Sequence, residues 1–157
     1  MTNILIIGAT GSIGQATRNY LMQNTDDQLT LMARHTSRLS NLDATREHVI
    51  AGSVTDATTL QQALAGQDVV FAPLSGDLPR MAQALVTGMS QAGVERLLFI
   101  SLMGIYNEIP ASVGASGNLD DNPVLAPYRR AADIIEASNL NYTVIRPCWF
   151  DNGNTAY

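Results

Sequence analysis

The chain of 157 residues has no lysine and a single cysteine, Cys148. One cysteine excludes an internal disulfide and fits a reducing, cytoplasmic setting. The two histidines, His35 and His48, form no ligand cluster with Cys148, so no structural metal is expected. Charged residues make up only 15% of the chain, and the net charge is −5. An acidic chain without a basic run is a poor partner for nucleic acid. No apolar stretch is long enough to cross a bilayer. The N-terminus passes straight into a strand pattern, so no signal peptide is expected. Hydrophobic residues, at 46%, supply the core of one domain.

One stretch organises the rest. Ile4 to Ile7 is a continuous apolar run of strand length, and Gly8, Gly11 and Gly14 follow at three-residue spacing. Gln15 to Met22 then carries a helical pattern, with Ile13, Ala16, Tyr20 and Leu21 predicted on its apolar face. A buried strand, a glycine turn and a helix N-terminus predict a dinucleotide-binding crevice. Gly8 permits the tight turn, Gly11 lets backbone approach a pyrophosphate, and Gly14 lets helix pack on strand. The helix start offers free N–H groups to the phosphates, with Thr10, Ser12 and Ile13 in the same loop.

The spacing in Gly8-Ala9-Thr10-Gly11-Ser12-Ile13-Gly14 leaves two residues between successive glycines. It resembles the short-chain dehydrogenase/reductase superfamily, in its extended and atypical members. The resemblance implies NAD(P) binding and leaves the activity open.

The second apolar run, Leu29 to Ala33, leads into Arg34, twenty residues after Gly14. In a dinucleotide fold an acid at this place suits the ribose 2′-hydroxyl of NAD, and an arginine suits the 2′-phosphate of NADP. Arg34-His35-Thr36-Ser37-Arg38 holds two arginines, hydroxyls and no acid. NADP is therefore the expected cofactor, with NAD possible, and Arg34, Ser37 and Arg38 are its candidate ligands. The alternative is a solvated basic loop. Glu47 to Ala51 reads as a third strand, and Thr55 or Asp56 as the N-cap of a helix over residues 57–64. Superfamily members often carry Gly-Asp-Leu/Val after this strand, set against the adenine. Ser53 replaces the acid, and Val54 keeps the apolar contact or is simply core.

Gln67 to Leu74 reads as the fourth strand and its exit, with Ala72, Pro73 and Leu74 beside the cofactor's central riboses. Met81, Leu85 and Met89 form a helical stripe read as core, closed by a glycine cap at Gly93. Arg96 to Ser101 is the fifth strand. The repeated strand–helix alternation predicts an α/β fold: a Rossmann-type, doubly wound parallel sheet with helices on both faces. Residues 1–157 are read as one NAD(P)-binding domain.

Ser101 falls at the carboxyl edge of that sheet. The resemblance implies that it polarises a substrate carbonyl or hydroxyl; the plain alternative is a serine that satisfies local backbone. The loop from Gly104 to Pro127 is a candidate substrate lid, and Asp120 and Asp121 read as a solvated turn. Tyr106 and Tyr128 are the candidate catalytic tyrosines. The superfamily pairs its tyrosine with a lysine four residues later, which lowers the tyrosine pKa. Four residues after Tyr128 is Ala132, and all nine basic residues of the chain are arginine. A standard carbonyl-reductase or epimerase mechanism is therefore not expected. Asn141 to Phe150 reads as the sixth strand and its exit. The resemblance implies that Pro147 passes beside the nicotinamide, where Trp149 or Phe150 packs over the ring or belongs to the core. Cys148 reads as inert. Superfamily members usually continue beyond this point, so the chain reads as the cofactor half of such a protein.

The resemblance is strongest to the atypical group of NAD(P)H-binding proteins that includes NmrA-like sensors and biliverdin/flavin reductase-like enzymes. It implies a reductase passing hydride from NADPH to a flavin, quinone or similar small acceptor. A regulatory module reading the NADPH/NADP ratio is the alternative. An epimerase or dehydratase on a nucleotide sugar fits least.

Overall fold

Strands buried on both faces require near-continuous runs of branched apolar residues. The computed structural model describes residues 1–148. Within them such runs form the central strands of one six-stranded parallel sheet, in the order β3-β2-β1-β4-β5-β6. The strands are β1 (Asn3–Ile7), β2 (Gln28–Ala33), β3 (Glu47–Ala51), β4 (Val69–Ala72), β5 (Arg96–Ile100) and β6 (Asn141–Ile145). The helices are α1 (Ser12–Asn24), α2 (Ala57–Leu64), α3 (Leu78–Ala92) and α4 (Ala126–Glu136). This is the Rossmann-like arrangement that the strand–helix alternation predicts.

Register assigns the two faces. Ile6 pairs with Leu31 and Phe71, and these three pack against Ile13, Leu21 and Met22 of α1. The alternate residues Leu5, Ile7, Val70, Leu97 and Phe99 pack against Leu60, Leu64, Leu85, Met89 and Ile135 of α2, α3 and α4. Helices thus cover both faces, one on the first and three on the second. Between β2 and β3 there is only a single 3-10 turn, Thr36–Arg38. The residues after β2 therefore stay at the sheet's carboxyl edge.

Caps set the helix ends, at Asp56 and Gly93 where the sequence pattern expects them and elsewhere at a different residue. α1 begins at Ser12, with Gly11 as its N-cap, so the second half of the glycine loop is already helix. Asp56 caps α2, accepting from the Thr59 N–H at 2.7 Å. α3 begins at Leu78, ahead of Met81, because Asp77 accepts the Arg80 N–H and Pro79 sits in the first turn, where no N–H is needed. Gly93 closes α3 at φ 70°.

The predicted face of α1 is rotated. Ala16 is exposed and Tyr20 is 65% exposed. Arg18 is buried instead, because its guanidinium forks onto the buried carboxylate of Glu47, with Nη2 donating to Oε2 at 2.9 Å. Burial alone would raise the Glu47 pKa, but hydrogen bonds from Arg18 and from the Asp43 N–H outweigh it and hold the carboxyl below its ordinary value. The pair ties α1 to the start of β3, level with the start of β2.

The long stretch after β5 is braced by side chains of its own. The Asn118 side chain, in a residue 7% exposed, accepts the Ile109 N–H and donates to the Ile109 carbonyl, each at 2.9 Å. The Glu108 carboxylate accepts the N–H groups of Gly104 and Tyr106, each at 3.0 Å. Asp120 and Asp121 are exposed turn residues. No helix of the described residues is long and apolar enough to cross a membrane.

Candidate functional site

The β1–α1 turn is built by close backbone approach. The N–H groups of Gly8 and Ala9 both donate to the Met32 carbonyl of β2, at 2.9 and 3.2 Å. Gly8 has φ +92°, and a Cβ there would lie 2.7 Å from the Pro73 carbonyl oxygen. A Cβ on Gly14 would lie 2.3 Å from the Gly8 carbonyl oxygen. Any side chain at either position would push α1 off the turn or close the crevice from β4. The Gln15 side chain donates to the Thr10 carbonyl at 2.8 Å and fixes the loop. No side chain caps α1 and no acid lies in its first turn. Its N-terminal N–H groups and partial positive charge are left for an anion.

In front of this turn lies a cavity of about 520 Å³ across the carboxyl ends of β1 to β4. Ten of the residues singled out from sequence line it: Gly8, Thr10, Gly11, Arg34, Ser37, Arg38, Ser53, Val54, Pro73 and Leu74. Ser12, Ile13 and Gly14 stand behind them in the first turn of α1. Ala72 is fully buried at the end of β4 and does not line the cavity.

The sequence reading left out His35 and Met81, which also line the cavity. The stripe with Leu85 and Met89 predicts core for Met81, which packs against the core and also faces the cavity. Leu85 and Met89 are fully buried, but Met81 sits in the first turn of α3, where the helix leaves the sheet edge. His35 stood between two singled-out arginines, and that neighbourhood was its only signal. Every charged or titratable residue lining the cavity is basic: Arg34, His35 and Arg38. No carboxylate among the described residues lines it, in a chain with fourteen acidic residues against nine basic. An anion is therefore attracted to this wall against the sign of the whole chain.

The remaining candidates gather further along the edge, around β5 and β6. Ser101 is 1% exposed, and its N–H donates to the Ile145 carbonyl at 2.8 Å. Its hydroxyl has no hydrogen-bond partner among the described residues, so it does not serve the local backbone. Pro147 lies in the turn after β6, its carbonyl accepting the Met103 N–H at 3.1 Å, and it does not line the cavity. Trp149 and Phe150 lie outside the described residues.

Tyr106 does not line the cavity either. Its ring lies between the guanidinium groups of Arg129 and Arg146, 4.6 and 4.7 Å from the ring centre. Its hydroxyl donates to Glu136 of α4. Burial, with that carboxylate beside it, pushes the Tyr106 pKa up to about 12. A phenol held this way keeps its proton at neutral pH and already has an acceptor for it. Tyr128 is half-buried on α4 and packs into two hydrophobic clusters. Four residues on, Ala132 is fully buried, so no cation stands beside Tyr128 in the lysine position.

The NAD(P)H-binding family matches residues 8–157. The chain belongs to that family. The crevice of this NAD(P)H-binding chain combines a crowded glycine turn, an uncapped helix start and a basic wall. The match to an NAD(P)H azoreductase from Xenophilus azovorans is 31% identical over 113 residues, which is 71% of this chain and 39% of that protein. The chain thus spans well under half the length of that curated relative. A short-chain dehydrogenase/reductase from Veillonella parvula, solved in complex with NADP, is 29% identical with a TM-score of 0.88. That likeness covers 98% of this chain and 72% of the other. A Rossmann-fold NAD(P)-binding protein from Shigella flexneri is 35% identical with a TM-score of 0.78, over 99% of this chain and 71% of the other. The sequence resemblance to the atypical short-chain group therefore holds.

Proposed function

We propose that the protein is an NADPH-dependent reductase that passes hydride to a small acceptor such as a flavin or quinone. The observation that carries this reading is the cavity wall, where Arg34, His35 and Arg38 face the crevice with no carboxylate among them. An NAD-specific site would place an acid there for the ribose 2′-hydroxyl. Arg34 and Arg38 instead suit a 2′-phosphate, with the Ser37 hydroxyl as a further donor. The Veillonella relative, solved with NADP, supports the same choice. The N–H groups at the start of α1 would hold the pyrophosphate, and Val54, Leu74 and Met81 give the cavity its apolar surface. The nicotinamide, when bound, supplies the hydride.

The chain's own residues orient the acceptor and exclude water from it. Ser101 is the group best suited to the acceptor side. A buried hydroxyl without a partner costs about 1–3 kcal/mol, and a substrate oxygen beside it would recover that. A flavin or quinone needs orientation more than a dedicated tyrosine acid. The chain offers none of the usual kind, since Glu136 holds the Tyr106 hydroxyl. The azoreductase relative adds azo compounds to the acceptors worth testing.

The test is loss of NADPH absorbance with FMN, FAD, quinones and an azo dye, with NADH in parallel. Saturable turnover preferring NADPH supports the reading. Tight NADPH binding without turnover on any acceptor would favour a regulatory module instead. That second reading draws on the same observation about Tyr106, together with the packed position of Tyr128.

A further inference from the structure

The pairing between β5 and β6 runs past the ends of both strands. The N–H groups of Ser101 and Met103 donate to the carbonyls of Ile145 and Pro147, at 2.8 and 3.1 Å. Residues two apart in an extended chain point to the same side. The Met103 side chain therefore stands next along from the Ser101 hydroxyl, at the carboxyl edge of the sheet. That hydroxyl, in a residue 1% exposed, has no partner among the described residues. From the β6 side, the Cys148 thiol donates to the Met103 thioether at 3.6 Å. Cys148 reads as inert from sequence, but in the fold it is exposed, while Met103 is half-buried. The neighbouring Arg146 is engaged by Glu108 and by the Tyr106 ring. The corner thus presents two polarizable sulfurs and an orphaned hydroxyl.

Resting on the reductase reading above, we infer that Ser101, Met103 and Cys148 form the acceptor subsite, and that it takes a planar aromatic ring bearing a carbonyl oxygen in preference to an azo compound. Sulfur makes favourable contacts with the edges of aromatic rings, and an unbranched methionine shifts to fit what it meets. The two sulfurs would lie against the ring, and Met103 would yield to admit its oxygen. The Ser101 hydroxyl would donate to that oxygen. A quinone and a flavin both carry such a ring carbonyl. An azo bond presents no oxygen and leaves the buried hydroxyl unpaired, which is how a site of this kind rejects an analogue.

The chain has no other cysteine, so alkylation by N-ethylmaleimide, followed as a mass shift, reports Cys148 alone. The full chain is labelled with NADP present throughout, and duroquinone, FMN or azobenzene is added. Duroquinone has no free ring position and so does not itself take up the thiol. The ring that fits the subsite is expected to slow alkylation about fivefold, and azobenzene to change it by less than about twofold. Protection by duroquinone or by FMN identifies which of the two the subsite takes. With saturating NADPH, Met103→Ala and Cys148→Ser should each raise KM for the protecting acceptor by about fivefold. Their kcat and their Kd for NADPH should stay within about twofold of wild type, the split expected when only acceptor binding is lost. Equal protection by azobenzene would overturn the carbonyl preference. Turnover with the alkylation rate and KM both unmoved would overturn the subsite and leave the reductase reading in place. No turnover with any acceptor would overturn the reductase reading and this inference with it.

Discussion

Arg34→Ala is the sharpest perturbation of the proposed cofactor choice, because nothing in the fold depends on that side chain. Arg34 is exposed and takes part in no ion pair among the described residues. Substitution at such a surface position changes stability by no more than about 0.5 kcal/mol, so a binding defect is read without a folding defect. A hydrogen bond to a charged group contributes about 1.5–3 kcal/mol, and the open wall puts Arg34 at the low end. About 1.4 kcal/mol is a factor of ten, so NADPH should bind Arg34→Ala roughly tenfold more weakly. Arg34→Glu replaces attraction by repulsion and doubles the effect in free energy, to roughly a hundredfold. NADH, which has no 2′-phosphate, should change by less than about threefold in either variant. The assay is equilibrium binding by nicotinamide fluorescence at 20 mM and 300 mM salt. Screening at the higher salt should shrink the gap between wild type and Arg34→Glu, since the Debye length then falls below about 8 Å. Equal weakening of NADPH and NADH would refute the reasoning: Arg34 would then support the loop and not the phosphate.

Three further outcomes are expected. Gly8→Ala forces a side chain at φ +92° to within 2.7 Å of the Pro73 carbonyl oxygen. It should cost about 1–3 kcal/mol in urea unfolding and abolish detectable dinucleotide binding; wild-type affinity would contradict the packing of that turn. Glu47→Gln leaves Arg18 as an unpaired charge in a buried setting and should cost about 3 kcal/mol. Because the folded-state pKa of Glu47 is lowered, its contribution is present above the ordinary carboxylate range and is lost as pH falls through the folded value. The acid limb of stability below about pH 4.3 should therefore be shallower in the variant, and an unchanged limb would show that the pair does not control it. Tyr106→Phe keeps the ring between Arg129 and Arg146 and removes the donor to Glu136, so stability should fall by about 1 kcal/mol and NADPH turnover should stay within about twofold of wild type. The Tyr106 pKa is raised to about 12, so its contribution is present below about pH 10 and is lost as pH rises through the folded value. Alkaline unfolding should accordingly begin less steeply in the variant. A turnover loss of a hundredfold with stability intact would make Tyr106 a proton donor after all.

What the sequence made legible is what its neighbours along the chain decide. The glycine turn, the apolar runs and the Arg34–Arg38 stretch are each local, within a dozen residues, so the parallel sheet and ten residues that line the crevice could be read directly. Other placements rest on neighbours that the local pattern does not carry. Arg18 belongs on the outer face of α1 by hydrophobicity, and only Glu47, 29 residues later, turns it inward and exposes Tyr20. Tyr106 sits in a promising place after β5, but Glu136, 30 residues on, takes its hydroxyl. Met81, Leu85 and Met89 have one spacing and two environments, because α3 emerges from the sheet edge at its first turn. Ser101 shows the same logic from the other side. The Ile145 carbonyl of β6 accepts its backbone N–H, while its buried hydroxyl has no partner among the described residues. From sequence the serine had two equal readings, catalytic or merely self-satisfying. Strand pairing satisfies only the backbone N–H, so the buried hydroxyl is free to meet the acceptor oxygen that the proposed reductase would bring.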